Sequence, residues 1–249
     1  MVRVDGYRRL ARRYNEWAKT QAAVAERLMQ VLAPRLSEAP GSVLELGCGT
    51  GQFTALLARV KPWRSYRAID RSAAMISVAE AALSPLVQFH ADDITTFDPA
   101  GDWNWVVSNE TLHWMPDPFA AIERIRALMP SRPSWAMSVS VAGTYVELTE
   151  AFLSLGLTPQ LPATAFLPAD TWDAELRRRF SSVDTRFWTI QEPFPTIMTL
   201  LRAAQASMGA SASPIHLSRR SVDAIESEIR RKHGRLLLTS QVMVAICDS

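Results

Sequence analysis

The sequence predicts an α/β protein: an open, mostly parallel sheet with a terminal antiparallel strand, helices on both faces, a helical N-terminal arm and a helical lid insertion. Three observations carry this expectation. Short apolar runs alternate with helical periodicity between residues 42 and 141. A glycine-rich turn follows the first of those runs. Two more strand-like runs near the chain end are separated by about 46 residues, far more than a hairpin loop spans.

Taken in order, Leu10, Tyr14, Trp17, Ala18, Gln21, Val24, Ala25, Leu28 and Val31 recur at spacings of three and four, the period of an amphipathic helix or two. They define an arm over residues 1–36. Residues 42–46 form the first strand, and residues 53–60 a helix behind the glycine turn. Residues 66–70 are a second strand followed by an Ala-rich helix over 72–82, and residues 87–90 a third strand. Residues 103–108 are a fourth strand ending at Asn109, residues 119–128 a helix, and residues 135–141 a fifth strand. Residues 183–190 and 237–246 read as strands that pair with each other antiparallel. The helical stretches 196–207 and 221–232 lie between them and make an insertion large enough to cover the mouth of the sheet. The expected organisation is therefore an N-terminal arm at 1–36 that forms a lid together with the insertion, a core at 37–192, a lid insertion at 193–235 and a final core strand at 236–249.

Composition narrows the class. With 48% hydrophobic and 21% charged residues, the 249-residue chain can bury a sizeable core. Its net charge of +2 does not announce nucleic acid or a membrane surface, and no 18-residue apolar stretch occurs. The total hides a partition. Residues 1–36 hold eight basic and three acidic side chains, residues 37–118 five and ten, and residues 170–235 eleven and eight. Cys48 and Cys247 are too few for a disulfide framework and belong to no Cys/His ligand cluster, so no metal site is expected and a cytoplasmic location is.

The chemistry-bearing motif is Glu45-Leu-Gly47-Cys-Gly49-Thr-Gly51, in which glycines let the backbone turn sharply and approach a ligand. Its GxGxG spacing differs from the dinucleotide GxGxxG. Asp70 closes the second strand where an acidic side chain meets ribose hydroxyls. Asp92, Asp93 and Ile94 follow the third strand, where a carboxylate accepts from an adenine amino group and an apolar side chain packs on the ring.

In this order, over residues 38–142, these motifs resemble the Rossmann-like class I S-adenosylmethionine-dependent methyltransferases. The resemblance implies S-adenosyl-L-methionine as cofactor. Gly47 and Gly49 would approach its methionine moiety, with Glu45 and Gly51 in the same motif, and Asp70 its ribose. Asp92, Asp93 or Ile94 would hold the adenine, and Asn109 would stand beside the sulfonium. One departure is Met129-Pro130-Ser131-Arg132-Pro133, where many members carry Pro-Gly-Gly.

Residues 108–117, beginning Ser108-Asn109 and containing His113-Trp114 and Asp117, resemble the S-N-x-x-x-Q/H-W-x-x-D stretch of two carboxyl methyltransferase groups, those for trans-aconitate and for malonyl-acyl-carrier protein in biotin synthesis. Tyr14-Asn15-Glu16-Trp17-Ala18-x-x-Gln21 is similar to the arm of the malonyl enzymes. So are Phe166-Leu167-Pro168, residues 201–211, Leu217-Ser218-Arg219 and residues 234–239. Asn15, Gln205 and Ser211 depart from the residues usual there. The implied reaction makes a methyl ester of a malonyl carboxylate on an acyl carrier protein or coenzyme A.

A carboxylate is already anionic at neutral pH and needs no strong base to attack a methyl sulfonium, so position and desolvation matter most. Arg202 is the expected partner of that carboxylate, as a guanidinium gives bidentate geometry. Tyr14 is the expected hydroxyl donor. His113 is either a base beside the methyl or packing at the cofactor rim. Residues 177–179, 219–220 and 230–232 are basic and suit an acidic carrier protein, with exposed helix faces as the plainer reading. A small-acid methyltransferase of the trans-aconitate kind and a non-catalytic cofactor-binding module are the alternatives. A nucleic-acid methyltransferase is disfavoured, because no N/D-P-P-Y/W segment follows the fourth strand.

Overall fold

A computed structural model describes residues 14–39, 41–60, 62–159, 161–207 and 217–249. Seven strands form one sheet: β1 (Ser42–Leu46), β2 (Ser65–Asp70), β3 (Gln88–Ala91), β4 (Trp105–Asn109), β5 (Ser134–Ser140), β6 (Ser182–Pro193) and β7 (Leu237–Asp248). Their spatial order is β3-β2-β1-β4-β5-β7-β6. The first five pair in parallel, and β7 runs antiparallel to both its neighbours, from Trp135 opposite Cys247 on one side and Ser182 opposite Asp248 on the other. The expected strands and the antiparallel pairing of the last two are present.

The central strands are buried because both sheet faces are covered. All five residues of β1 are buried. The pleat divides side chains between two cores. On β5, Trp135, Met137 and Val139 join Ile122 and Ile125 of α4 (Pro118–Leu128) and Trp172 and Leu176 of α6 (Ala169–Arg179) on one face. Ala136 faces the other core, with Val43, Val107 and Phe53 of α2 (Gln52–Ala58).

The N-terminal arm divides in two. Helix α1 (Lys19–Leu32) puts Leu28 and Leu32, both at 0% exposure, into that second core, so it is a packing layer rather than a cover. Only a helical turn over residues 14–17 precedes it among the described residues, and this turn reaches the site. Residues 1–13 of the arm lie outside the described residues.

Helix α3 (Ala73–Leu83) starts at Ser72, whose side chain accepts from the Met75 amide, and α4 starts at Asp117, which accepts from Ala120. Helices α5 (Val146–Ser154) and α6 were not marked by periodicity. Between β6 and β7 lie α7 (Ile197–Ser207) and α8 (Arg219–His233), as expected. Their Leu200, Ala204, Ile225 and Ile229 build a third apolar cluster with Leu148 and Phe152 of α5 and with Phe166.

Candidate active site

A cavity of about 300 Å³ lies at the carboxyl ends of β1, β2 and β4, where the strand order reverses between β1 and β4. The glycine turn forms its floor. The Gly47 and Cys48 amides donate to the Ile69 carbonyl at 2.8 and 3.0 Å, which ties the turn to β2. Gly47 has φ +73°, and a Cβ there would fall 2.1 Å from the Thr111 side chain. Gly49 has φ +55° and open space where its Cβ would stand, so bare backbone meets the cavity.

Asp70 is clamped against that turn. Its Oδ2 accepts from the Gly49 amide at 3.0 Å and its Oδ1 from the Ser72 amide at 2.8 Å. Burial raises its pKa from the ordinary aspartate value, against the two amides, which favour the ionised form. Asp93 and Ile94 also line the cavity. Asp93 Oδ1 accepts from the Thr95 hydroxyl at 2.6 Å and its amide at 2.8 Å, and these bonds hold its pKa low. Asp92 is not part of the lining. It pairs with Arg67 at 3.3 Å on the strand flank, so of the two aspartates considered for the adenine the structure brings only Asp93 to the cavity.

Glu45 is buried in mid-strand, accepts from the Tyr66 hydroxyl at 2.6 Å, and is pushed by burial up to about 7. Asn109 lines the cavity with its side chain already engaged: Oδ1 accepts from Ser138 at 2.9 Å and Nδ2 donates to the Gln21 carbonyl at 3.4 Å. Gly51 begins α2 with φ +85°.

The N-terminal turn supplies the opposite wall. Asn15 Oδ1 accepts from Thr50 at 2.6 Å and from Gln52 at 3.1 Å, which fastens the turn to the glycine loop. Tyr14 is thereby held over the cavity. Burial, then the proximity of Tyr145, Glu110 and Asp70, raises its pKa well above the ordinary phenol value, so it remains a hydroxyl donor at neutral pH. Gln21 lines the same wall, and its buried Oε1 has no partner among the described residues.

Two expected acceptor-side residues are placed elsewhere. Arg202 is exposed on α7 and does not line the cavity. The helix register that puts Leu200 and Ala204 in the apolar cluster and buries Ala203 turns Arg202 outward. His113 also stands outside the lining, packed against Trp114 and Phe166 at ring separations of 4.9 and 4.7 Å. Its Nδ1 accepts from the Ser140 amide at 3.1 Å, and burial pushes its pKa down to about 3, so it is a neutral, occupied ring.

Glu110 was not singled out from sequence, yet it lines the cavity. It follows Asn109 with φ +52°, a rare conformation for a residue with a side chain. Its Oε2 accepts from Ser140 Oγ at 2.6 Å, and burial pushes its pKa up to about 7. The only signal available was an acidic residue directly after a strand end at the switch point.

The arginine clusters are largely neutralised in place. Arg177 and Arg178 pair with Asp173 and Glu175, Arg179 with Glu175 and Glu123, and Arg230 and Arg231 with Glu226 and Glu228.

Residues 14–179, two-thirds of the chain, match a family model described as a methyltransferase domain. The chain is 29% identical over 215 residues to a malonyl-[acyl-carrier protein] O-methyltransferase of Paenibacillus sp. (strain JDR-2), covering 80% of this chain and 78% of that protein. It is 26% identical over 237 residues to such an enzyme of Ilyobacter polytropus, covering 92% and 86%. It is also 31% identical over 141 residues to a trans-aconitate 2-methyltransferase of Deinococcus radiodurans, covering 57% and 52%. Among solved structures, a putative methyltransferase of Bacillus halodurans superposes with a TM-score of 0.63 at 12% identity, over 91% of this chain and 98% of that one. The plantazolicin methyltransferase BpumL in complex with SAH superposes with 0.54 at 14%, over 99% and 96%.

Proposed function

The chain belongs to the methyltransferase domain family, and from that premise we propose that it is an S-adenosylmethionine-dependent enzyme that methylates the free carboxylate of a malonyl thioester carried on an acyl carrier protein. S-adenosylmethionine supplies a methyl group on a positively charged sulfur. The site residues fit that group. Four carboxyl side chains, Glu45, Asp70, Asp93 and Glu110, and one guanidinium, Arg71, line the cavity among the described residues, a balance suited to a cation. The open backbone at Gly49 and the partnerless Oε1 of Gln21 leave both space and bonding capacity for a polar ligand.

In this reading Asp70 holds the ribose hydroxyls, because a carboxylate that accepts two amides still has lone pairs to offer. Asp93 receives the adenine amino group, with Ile94 against the ring. Gly47 and Gly49 let the backbone approach the amino-acid part, and Asn109 and Gln21 flank it. Tyr14 donates to the acceptor from above. The acceptor oxygen forms its bond to the methyl carbon as the sulfur–methyl bond breaks, and no proton has to be removed from a carboxylate. The enzyme's part is alignment and exclusion of water, for which the Asn15-anchored turn closes one wall. The described residues of the α7–α8 insertion pack against α5 and do not line the cavity.

The observation that carries the choice of acceptor is coverage. Three malonyl-[acyl-carrier protein] relatives match 78–92% of the chain and others 41–59%, whereas the trans-aconitate relatives reach at most 57%, so of these only the malonyl group includes matches that run nearly end to end. The test is a comparison of kcat/KM for malonyl-acyl-carrier protein, malonyl-coenzyme A and free trans-aconitate. The carrier-bound malonyl group is expected to be preferred by at least tenfold. Preference for the free acid favours the trans-aconitate reading, and binding of S-adenosylmethionine with no turnover on any carboxylate identifies a non-catalytic module.

A further inference from the structure

The groups around the acceptor end of the cavity raise a problem. A substrate carboxylate arriving there meets no Arg or Lys among the described lining residues except Arg71. Arg71 follows the end of β2, two strands from β4, or roughly 10 Å across the sheet. The side chain at the end of β4 is another carboxyl group, Glu110. Two carboxylates side by side cannot both be ionised.

The geometry around Glu110 resolves this. Its backbone is fixed by the amide, which donates to the Ser138 carbonyl at 3.1 Å and to Ser138 Oγ at 3.0 Å. Its Oε2 is taken by the Ser140 hydroxyl, while Oε1 is buried with no partner among the described residues. Among the described residues, the titratable groups around it are Tyr14 from the N-terminal turn, Tyr145 at the start of α5 beyond Tyr14, His113, whose ring accepts from the Ser140 amide, and Asp70 across the cavity. None of these described groups is a cation at neutral pH, since His113 is held neutral.

We propose that Glu110 is an acceptor-binding acid: its Oε1 carries the proton and donates it in a hydrogen bond to one oxygen of the substrate carboxylate, while the other oxygen attacks the methyl group. This rests on the carboxyl-methylation reading above. The proton stays on Glu110 throughout. The oxygen–carbon bond forms, the sulfur–carbon bond breaks, and the substrate's negative charge cancels the sulfonium's positive one, so the products are a neutral ester and a neutral sulfide at the reacting atoms. The substrate's own charge reinforces the arrangement, because an anion beside Glu110 keeps it protonated. Oε1 is buried and Glu110 lines the same cavity as Tyr14, so the acid and the phenol would flank the acceptor together.

The experiment is the pH dependence of kcat/KM for malonyl-acyl-carrier protein, measured on the wild type and on Glu110→Gln, whose amide can still donate. The wild-type value is expected to fall about tenfold per pH unit on the alkaline side of neutrality. Glu110→Gln is expected to keep at least a third of the activity at pH 6 and to lose the alkaline fall. Infrared difference spectra of the wild type with bound cofactor provide a readout that does not require turnover: a neutral carboxyl band should vanish as pH rises and be missing in Glu110→Gln. A folded Glu110→Gln enzyme that is inactive at every pH overturns the proposal, because the amide offers the same hydrogen-bond donor. An unchanged alkaline limb, or no neutral carboxyl band assignable to Glu110, reduces it to packing. If the wild type itself methylates no carboxylate, the reading beneath falls instead, which separates the two failures.

Discussion

At the scale of single residues, the site is a set of carboxyl groups given different tasks by their surroundings. Asp70 and Asp93 both accept hydrogen bonds from backbone amides, the arrangement that favours a charged acceptor, whereas Glu45 and Glu110 are buried with one hydroxyl donor each. Asp70→Ala is therefore expected to weaken S-adenosylmethionine binding by tenfold to a hundredfold, on the order of 1.5–3 kcal/mol for hydrogen bonds to a charged group. Calorimetry checks this, with circular dichroism to show the fold intact. Tyr14→Phe removes a hydroxyl but keeps the ring that fills the wall. Its kcat/KM should drop about tenfold while the cofactor dissociation constant moves less than threefold. Arg202→Ala should leave kcat/KM within threefold of the wild type, because the guanidinium points to solvent. A loss of a hundredfold would place Arg202 in the site after all. This contrast shows what a sequence can and cannot disclose. Gly47, Gly49 and Asp70 are legible because turn geometry demands those residue types at that spacing. Arg202, Asp92 and Glu110 were not, since which way a side chain faces at a strand end or on a helix depends on register that residue type alone does not set.

Among the elements, the first helix changes meaning most. Its periodicity was clear from residues 10–31, yet an amphipathic stripe looks the same whether it seats on a core or closes over a ligand. The structure seats α1 against β4, β5 and β7, with Leu28 and Leu32 fully buried. Leu28→Ala should accordingly destabilise the protein by roughly 2–5 kcal/mol, the cost of a cavity in a core. A helix that only covered the site would lose less than 1 kcal/mol, so chemical denaturation distinguishes the two. The strands were legible because parallel, doubly covered strands read as mainly apolar runs, such as Val43 to Leu46, interrupted by Glu45, and Trp135 to Val139, interrupted by Ser138. Helices α5 and α6 were not. Each mixes charged residues into a short stripe, and α6 buries only Trp172 and Leu176. Their place is fixed by contacts made far away in sequence, α5 against α8 and α6 against β6.

For the whole molecule, the near-neutral net charge of +2 conceals an acidic middle that becomes the cavity wall and basic segments that mostly satisfy themselves within α6 and α8. Exposed pairs of this kind contribute little to stability. The buried carboxyls matter more. Glu45 and Glu110 keep their protons up to about pH 7 in the folded protein but release them near 4.5 when unfolded, so stability of the ligand-free protein should fall as pH rises through that window and level off above it. The loss is a few kcal/mol, and thermal melts from pH 5 to pH 8 would show it. S-adenosylmethionine should reduce the loss, since its positive charge compensates the ionised forms. That compensation depends on the cavity receiving a methyl sulfonium on one side, with a carboxylate acceptor on the other. The most direct test is to incubate the purified protein with methyl-labelled S-adenosylmethionine and malonyl-acyl-carrier protein and to locate the label by mass spectrometry. Label on the terminal carboxyl of the malonyl group, released as methanol by mild base, is the predicted result. Label on any other atom of the carrier or its thioester, or none at all while the cofactor binds, would contradict it.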